Sequence, residues 1–137
     1  ALSASAITIY MDGVPMIYSS QEVGRSSNLP FFSNSLIDFS ANPEMLDTYQ
    51  KMMAFYTSSN AARSGTLQPY LDNDVAVFKK VLNGDEVLII ANIRNRQINY
   101  PLPGTLSNTS WENALDQSAL TLGTQINLQP YQYYILD

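Results

Sequence analysis

The texture of the sequence changes near Leu67, and any fold for this chain must accommodate that change. Before it, apolar residues recur at helical spacing or crowd into one compact run. After it, short β-rich runs alternate with tight turns at nearly regular intervals. A chain of 137 residues holds one ordinary core, so the two textures must share it or divide it.

The first part reads as helix, strand, long loop, helix. Ala1 to Met11 has no Gly or Pro and forms a helix that Asp12-Gly13 stops with a turn and a C′ glycine. Val14 to Tyr18 is β-branched and aromatic, as in a strand buried on both faces. Ser19 to Ala41 shows no period, and loops of that length are usually functional or belong to a larger architecture. Asn42-Pro43-Glu44 then starts a helix. Asn42 caps, Pro43 suits the first helical position, and Glu44 sits at the positive end of the dipole. Met45, Tyr49, Met52, Met53 and Tyr56 form its apolar stripe, which reads as core rather than as a binding groove, and it ends near Ser58.

The second part opens on Val75, Val77, Phe78 and Val81. Asn83-Gly84 signals a two-residue hairpin into Glu86–Ile93, which is apolar enough to be central. Gln97 to Leu102 ends in prolines and suits an edge. Trp111 to Leu115, Leu120 to Leu122, Gln125 to Leu128 and Tyr131 to Leu136 complete an antiparallel sandwich of about seven strands.

Composition excludes several kinds of chemistry. The formal net charge is −5 with no basic run, so nothing favours nucleic acid or an anionic membrane. No stretch is long and apolar enough for membrane insertion. Cysteine and histidine are absent, which removes disulfides, thiolate metal sites, nearly all zinc sites and histidine-dependent nucleophiles. No metal-ligating pattern appears. The acidic pairs Asp72/Asp74 and Asp85/Glu86 lie in turns, where carboxylates commonly serve local hydrogen bonds.

One run is specific. Asp12 to Gly24 resembles the eighth barrel strand of the alpha-amylase family (glycoside hydrolase family 13), which reads like G-x-P-x-I-Y-x-G-Q-E-x-G. Gly13, Pro15, Ile17, Tyr18, Gln21, Glu22 and Gly24 match, and Ser20 replaces a glycine whose backbone freedom the turn uses. Further on, Asn60-Ala61-Ala62-Arg63-Ser64-Gly65 is similar to the family's N-x-A-L-R-x-G phrase. Val87 to Asn92, Trp111 to Leu115 and Pro130 to Leu136 are similar to strands of its C-terminal domain. Asp116-Gln117-Ser118 replaces the family's T-G-E turn.

The resemblance implies an α+β fragment. Residues 1–67 would be the end of a (β/α)8 barrel (helix, strand eight, helix eight), and residues 68–137 an antiparallel β-sandwich. It implies a parent enzyme acting on alpha-glucans such as starch or maltodextrin by a retaining mechanism, with two carboxylates roughly 5 Å apart. The family's three catalytic carboxylates lie on earlier barrel strands and would precede Ala1. None of the twelve Asp and Glu residues here matches their motifs, so no catalytic residue is expected in this segment and it should be inactive alone. Transferases and isomerases share the same barrel end. Calcium, common in relatives, would be held by upstream elements, and this segment needs no cofactor.

Gln21, Glu22 and Arg25 follow a strand at the face where barrels place substrate, so they are candidates to hold sugar hydroxyls. A structural ion pair between Glu22 and Arg25 is the plainer alternative. Phe31 and Phe32 can stack on a sugar or anchor the loop. Trp111, Tyr131, Tyr133 and Tyr134 read mainly as packing. With both its edges unpaired, Val14–Tyr18 should drive self-association of the segment. A free β-sandwich carbohydrate-binding or structural module is the alternative reading of the whole chain.

Overall fold

The computed structural model describes residues 1–30 and 32–137; Phe31, a candidate sugar-stacking residue, lies outside the described residues. The chain is α+β with antiparallel sheets. Helix α1 (Leu2–Tyr10) leads into an irregular stretch interrupted by a short 3-10 turn (Gln21–Val23). Helices α2 (Pro43–Ser58) and α3 (Asn60–Ser64) follow. The strands are β1 (Thr66–Tyr70), β2 (Val75–Leu82), β3 (Asp85–Asn92), β4 (Ile98–Pro101), β5 (Ser110–Glu112), β6 (Ala119–Thr121), β7 (Gln125–Leu128) and β8 (Tyr133–Leu136).

Four strands form one sheet in the order β1-β2-β3-β8, all antiparallel. Period-two alternation sends neighbouring residues to opposite faces, and both faces are covered. Phe78, Val87, Ile89 and Ile135 point to the helices and form one core with Ala6, Ile9, Tyr10, Tyr49, Met52, Ala61 and Ala62. Val75, Val77, Leu88, Ile90 and Leu136 point the other way. There they meet Tyr100, Leu102, Leu106, Leu122 and Leu128 from the two-stranded ladders β4·β7 and β5·β6 and the loops beside them. Among the described residues the sandwich thus has eight strands rather than about seven, distributed over one larger sheet and two small ladders.

The local signals explain the elements. The Asn42 side chain accepts from Met45 N at 3.0 Å, with Pro43 next to it, and α2 starts there. Asn83 and Gly84 both take positive φ (54° and 96°) between Leu82 and Asp85, which face each other in the ladder. This is the two-residue turn that suits the right-handed twist of paired strands. Strand β1 is an addition to the sequence reading. It carries Pro69 opposite Phe78 and lies at the sheet edge, where a missing N–H is tolerated. Gly65 ends α3 against β2. A Cβ there would stand 2.5 Å from Ala61 O and 2.9 Å from Val81 N, so only glycine admits this approach of helix to strand.

A buried lysine fastens the same junction. Lys80 is 2% exposed on the helix side of β2, and its Nζ donates to Ala62 O at 2.8 Å. It also lies 3.7 Å from Asp12 Oδ1. A cation at the last carbonyls of a short helix offsets their unsatisfied partial charge. The lysine joins α3, the end of α1 and the sheet.

Two expectations change. Helix α1 stops at an extended Met11, whose N–H still reaches Ile7 O at 2.9 Å, rather than at a left-handed C′ glycine. Val14–Tyr18 is not a buried strand. Among the described residues no strand pairs with it, so its backbone joins no ladder. Val14 is 92% exposed, Met16 79% and Tyr18 60%; only Ile17 packs against the helix-side core.

Candidate functional site

The loop after Tyr18 is held by a buried polar cluster. Tyr49 on α2 and Ser5 on α1 share a hydrogen bond at 2.5 Å. Gln21 Nε2 donates to Tyr49 Oη at 2.9 Å, with Ser5 Oγ 3.5 Å away, and Gln21 Oε1 accepts from Tyr18 N at 3.3 Å. The amide of Gln21 is therefore committed to both helices and to its own turn. These bonds make Gln21 an anchor of the loop.

The turn itself needs left-handed backbone at two places. Ser20 has φ 62° and ψ 11°, and Gly24 has φ 68° and ψ 28°. The position where the family motif has glycine does adopt the conformation that glycine favours, and serine occupies it. The Ser20 hydroxyl donates to Ser19 O at 2.6 Å, and the residue is buried.

Glu22 and Arg25 separate. Arg25 lies exposed and donates from Nε to Ser27 Oγ at 3.0 Å and from Nη1 to Ser35 Oγ at 3.1 Å. Among the described residues no ion pair joins it to Glu22. The Oε2 atom of Glu22 is shielded from solvent, and among the described residues it has no hydrogen-bond partner. An acceptor left in that state is costly unless a donor arrives from elsewhere.

Gln21 and Arg25, with Tyr18, Ser20 and Met45, line an open cleft of about 680 Å³ at the N-terminal end of α2. Glu22 does not line it. Phe32 is fully exposed. The cleft presents a guanidinium, hydroxyls and an apolar thioether wall. Among the described residues no Asp or Glu lines it.

Several other candidates have partners within the fold. Asp72 Oδ1 accepts from Asp74 N and Val75 N at 2.8 and 2.9 Å, closing a turn. Asp74 pairs with both Arg94 and Arg96, and Glu86 pairs with Lys79. Tyr133 packs on the helix-side core and Tyr134 on the opposite one, while Tyr131 stands half-exposed in a turn. Among the described residues no three His, Cys, Asp or Glu side chains come together as a metal site, and no helix is long and apolar enough to cross a membrane. Sequence reasoning missed the Ser5–Tyr49–Gln21 cluster, whose members are far apart along the chain and carry no local signal.

No protein-family profile and no curated protein matches the chain by sequence. Solved structures do match by fold. An alpha-amylase from Anoxybacillus, described as giving insight into a new glycosyl hydrolase subclass, superposes with a TM-score of 0.81 at 18% identity. The match covers 98% of this chain and 31% of that one. An isomaltulose synthase from Klebsiella sp. LX3 superposes with a TM-score of 0.73 at 17% identity, over 98% of this chain and 37% of that one. A mutant of a trehalulose synthase in complex with its substrate sucrose gives 0.74 at 14% identity over the same shares. The chain thus spans about a third of the length of these enzymes. The shared fold is that of alpha-amylase-family members, in agreement with the motif at Gly13 to Gly24.

Proposed function

We propose that this chain is the closing part of an alpha-amylase-type glycoside hydrolase, with residues 1–67 ending a (β/α)8 barrel and residues 68–137 forming its C-terminal sandwich. The observation that carries the reading is the superposition of 98% of the chain on 31% of an alpha-amylase, taken together with the motif that the sequence carries from Gly13 to Gly24. The exposed, unpaired Val14–Tyr18 supports it, because a strand with that composition belongs between two neighbours. The parent acts on alpha-glucans of the starch or maltodextrin kind through a retaining pair of carboxylates contributed from outside this segment. The likeness to isomaltulose and trehalulose synthases favours a second reading, in which the parent rearranges a short alpha-glucoside such as sucrose.

Within that enzyme the loop cleft lies at the substrate face of the barrel. Arg25 faces sugar hydroxyls, Gln21 fixes the loop that carries it, and the unpartnered Glu22 oxygen receives a donor from a neighbouring barrel element or the substrate. Calcium, if the parent uses it, binds elsewhere. As an isolated segment the chain self-associates through Val14–Tyr18.

The coding sequence upstream of Ala1 tests this reading. The βα repeat length, counted back from the strand-like run at Val14, places an Asn-His-Asp-like motif about 30 to 40 residues before Val14. An upstream sequence with no acidic motif at that distance overturns it, and leaves the free sandwich module as the reading to pursue.

A further inference from the structure

A second cleft opens at the other end of α2. It holds about 790 Å³, and its walls come from four places in the fold. Phe55 and Asn60 belong to the end of α2 and the start of α3, and Asp85 follows the β2–β3 turn. Ser110 and Trp111 belong to β5, and Asp137 follows β8. Met45, in the wall of the loop cleft, precedes Phe55 by ten residues on the same helix. At ~1.5 Å of rise per residue, the two clefts lie roughly 15 Å apart along that axis.

The chemistry of this second cleft is distinctive. It carries two aromatic rings anchored in different cores: Phe55 packs on the helix-side cluster and Trp111 on the opposite one. Trp111 Nε1 donates to Thr109 Oγ1 at 2.7 Å, which fixes the indole and satisfies its only donor inside the protein. What the ring has left to offer a ligand is its apolar surface. Asp85 and Asp137 add carboxylate acceptors, Asn60 an amide and Ser110 a hydroxyl. No lysine or arginine lines the cleft among the described residues, so phosphates and other anions meet only like charge. Burial, together with Asp85 and Glu112 nearby, pushes the Asp137 carboxyl above its usual range. That shift also favours a neutral, hydrogen-bonding ligand over an anionic one.

Flat aromatic surface beside acceptor carboxylates suits a neutral polyol, which lays its C–H face on a ring and donates its hydroxyls to the acids. A compact cation would use the carboxylates but not the two rings, and an apolar ligand would strand the acids. We infer that this cleft is a second saccharide site, taking a neutral alpha-glucan segment at a distance from the loop cleft. The choice of alpha-glucan among saccharides rests on the proposed parent activity; the choice of a neutral sugar rests on the cleft. Its use follows from its position: a polymer held there stays at high effective concentration for the rest of the protein.

Trp111 is the sole tryptophan of the chain, so tryptophan emission, excited selectively over that of the nine tyrosines, reports from this cleft. Titration of the 137-residue chain with maltohexaose should give a saturable change in that emission. Sucrose and cellohexaose at matched concentrations should give none. Asp85→Asn, at an exposed position, should weaken the apparent affinity about tenfold with an unchanged circular dichroism spectrum. Arg25→Ala, in the other cleft, should leave the affinity unchanged. A flat maltohexaose titration overturns the site, and so does an affinity indifferent to Asp85→Asn. An equal loss with Arg25→Ala places the response at the loop cleft and also overturns it. An equal response to cellohexaose removes the alpha-glucan assignment and with it the link to the parent activity. A flat titration alongside an intact upstream carboxylate motif would sink this site and leave the parent activity standing.

Discussion

Ser20 holds a backbone conformation that costs an L-residue roughly 1–2 kcal/mol and glycine almost nothing. Its hydroxyl bond to Ser19 O recovers part of that, and glycine gives some back through its more flexible unfolded chain. Ser20→Gly should therefore stabilise the chain by up to about 1 kcal/mol, read as a higher thermal midpoint; a lower midpoint would show that the hydroxyl outweighs the strain. A second residue ties stability to pH. The hydrogen bond from Arg94 holds the Asp74 carboxyl below its usual range, and the charges of Arg96 and Arg94 act in the same direction. A carboxyl whose folded pKa is depressed contributes stability above its unfolded value, about 3.9, and loses it as pH falls through the folded value. The difference in midpoint between the parent chain and Asp74→Asn should be present at pH 7 and close below about pH 4. A difference that stays constant down to pH 3 would contradict this. At this scale the sequence was partly legible. The replaced glycine was visible in the motif. The inward turn of Gln21 was not, because its partners Ser5 and Tyr49 lie 16 and 28 residues away.

Among the elements, α2 was readable almost to the residue, since cap, proline and stripe agree with one another. Met52 is fully buried, and Tyr56 packs edge-on against Tyr10 with ring centres 6.2 Å apart. Lys51 is exposed and pairs with Asp47 at 2.7 Å, an interaction of little net weight at a surface. Truncating Met52 or Tyr56 to alanine should cost roughly 2–5 kcal/mol, and Lys51→Ala no more than about 0.5 kcal/mol. Equal urea midpoints for all three would mean the stripe is not buried. The β2–β3 hairpin was legible for the same reason: Asn83-Gly84 sits between two runs that match it in register. Strand β1 was not, because Thr66-Leu67-Gln68-Pro69-Tyr70 neither alternates nor avoids proline, and only its place at the edge makes it a strand. Val14–Tyr18 shows the converse. Its composition suits a buried strand, but a strand is completed by its neighbours, and among the described residues none pairs with it.

For the whole molecule, the exposed Val14, Met16 and Tyr18 next to unpaired backbone make an edge that invites a second chain. Light scattering across a concentration series should show a mass rising above 15.2 kDa. A strictly monomeric mass at high concentration, with Val14–Tyr18 protected from hydrogen exchange, would contradict this and point to a fold-back of the chain over that edge. Under the proposed function, the segment carries the closing elements and sandwich of a sugar-processing enzyme and its reacting carboxylates come from outside it. The direct measurement is turnover by the purified chain on starch and maltotriose. The account predicts no release of reducing sugar above the buffer rate. Hydrolysis that a substitution within residues 1–137 abolishes would contradict it, because the acid and the nucleophile would then have to lie among the twelve carboxylates of this chain.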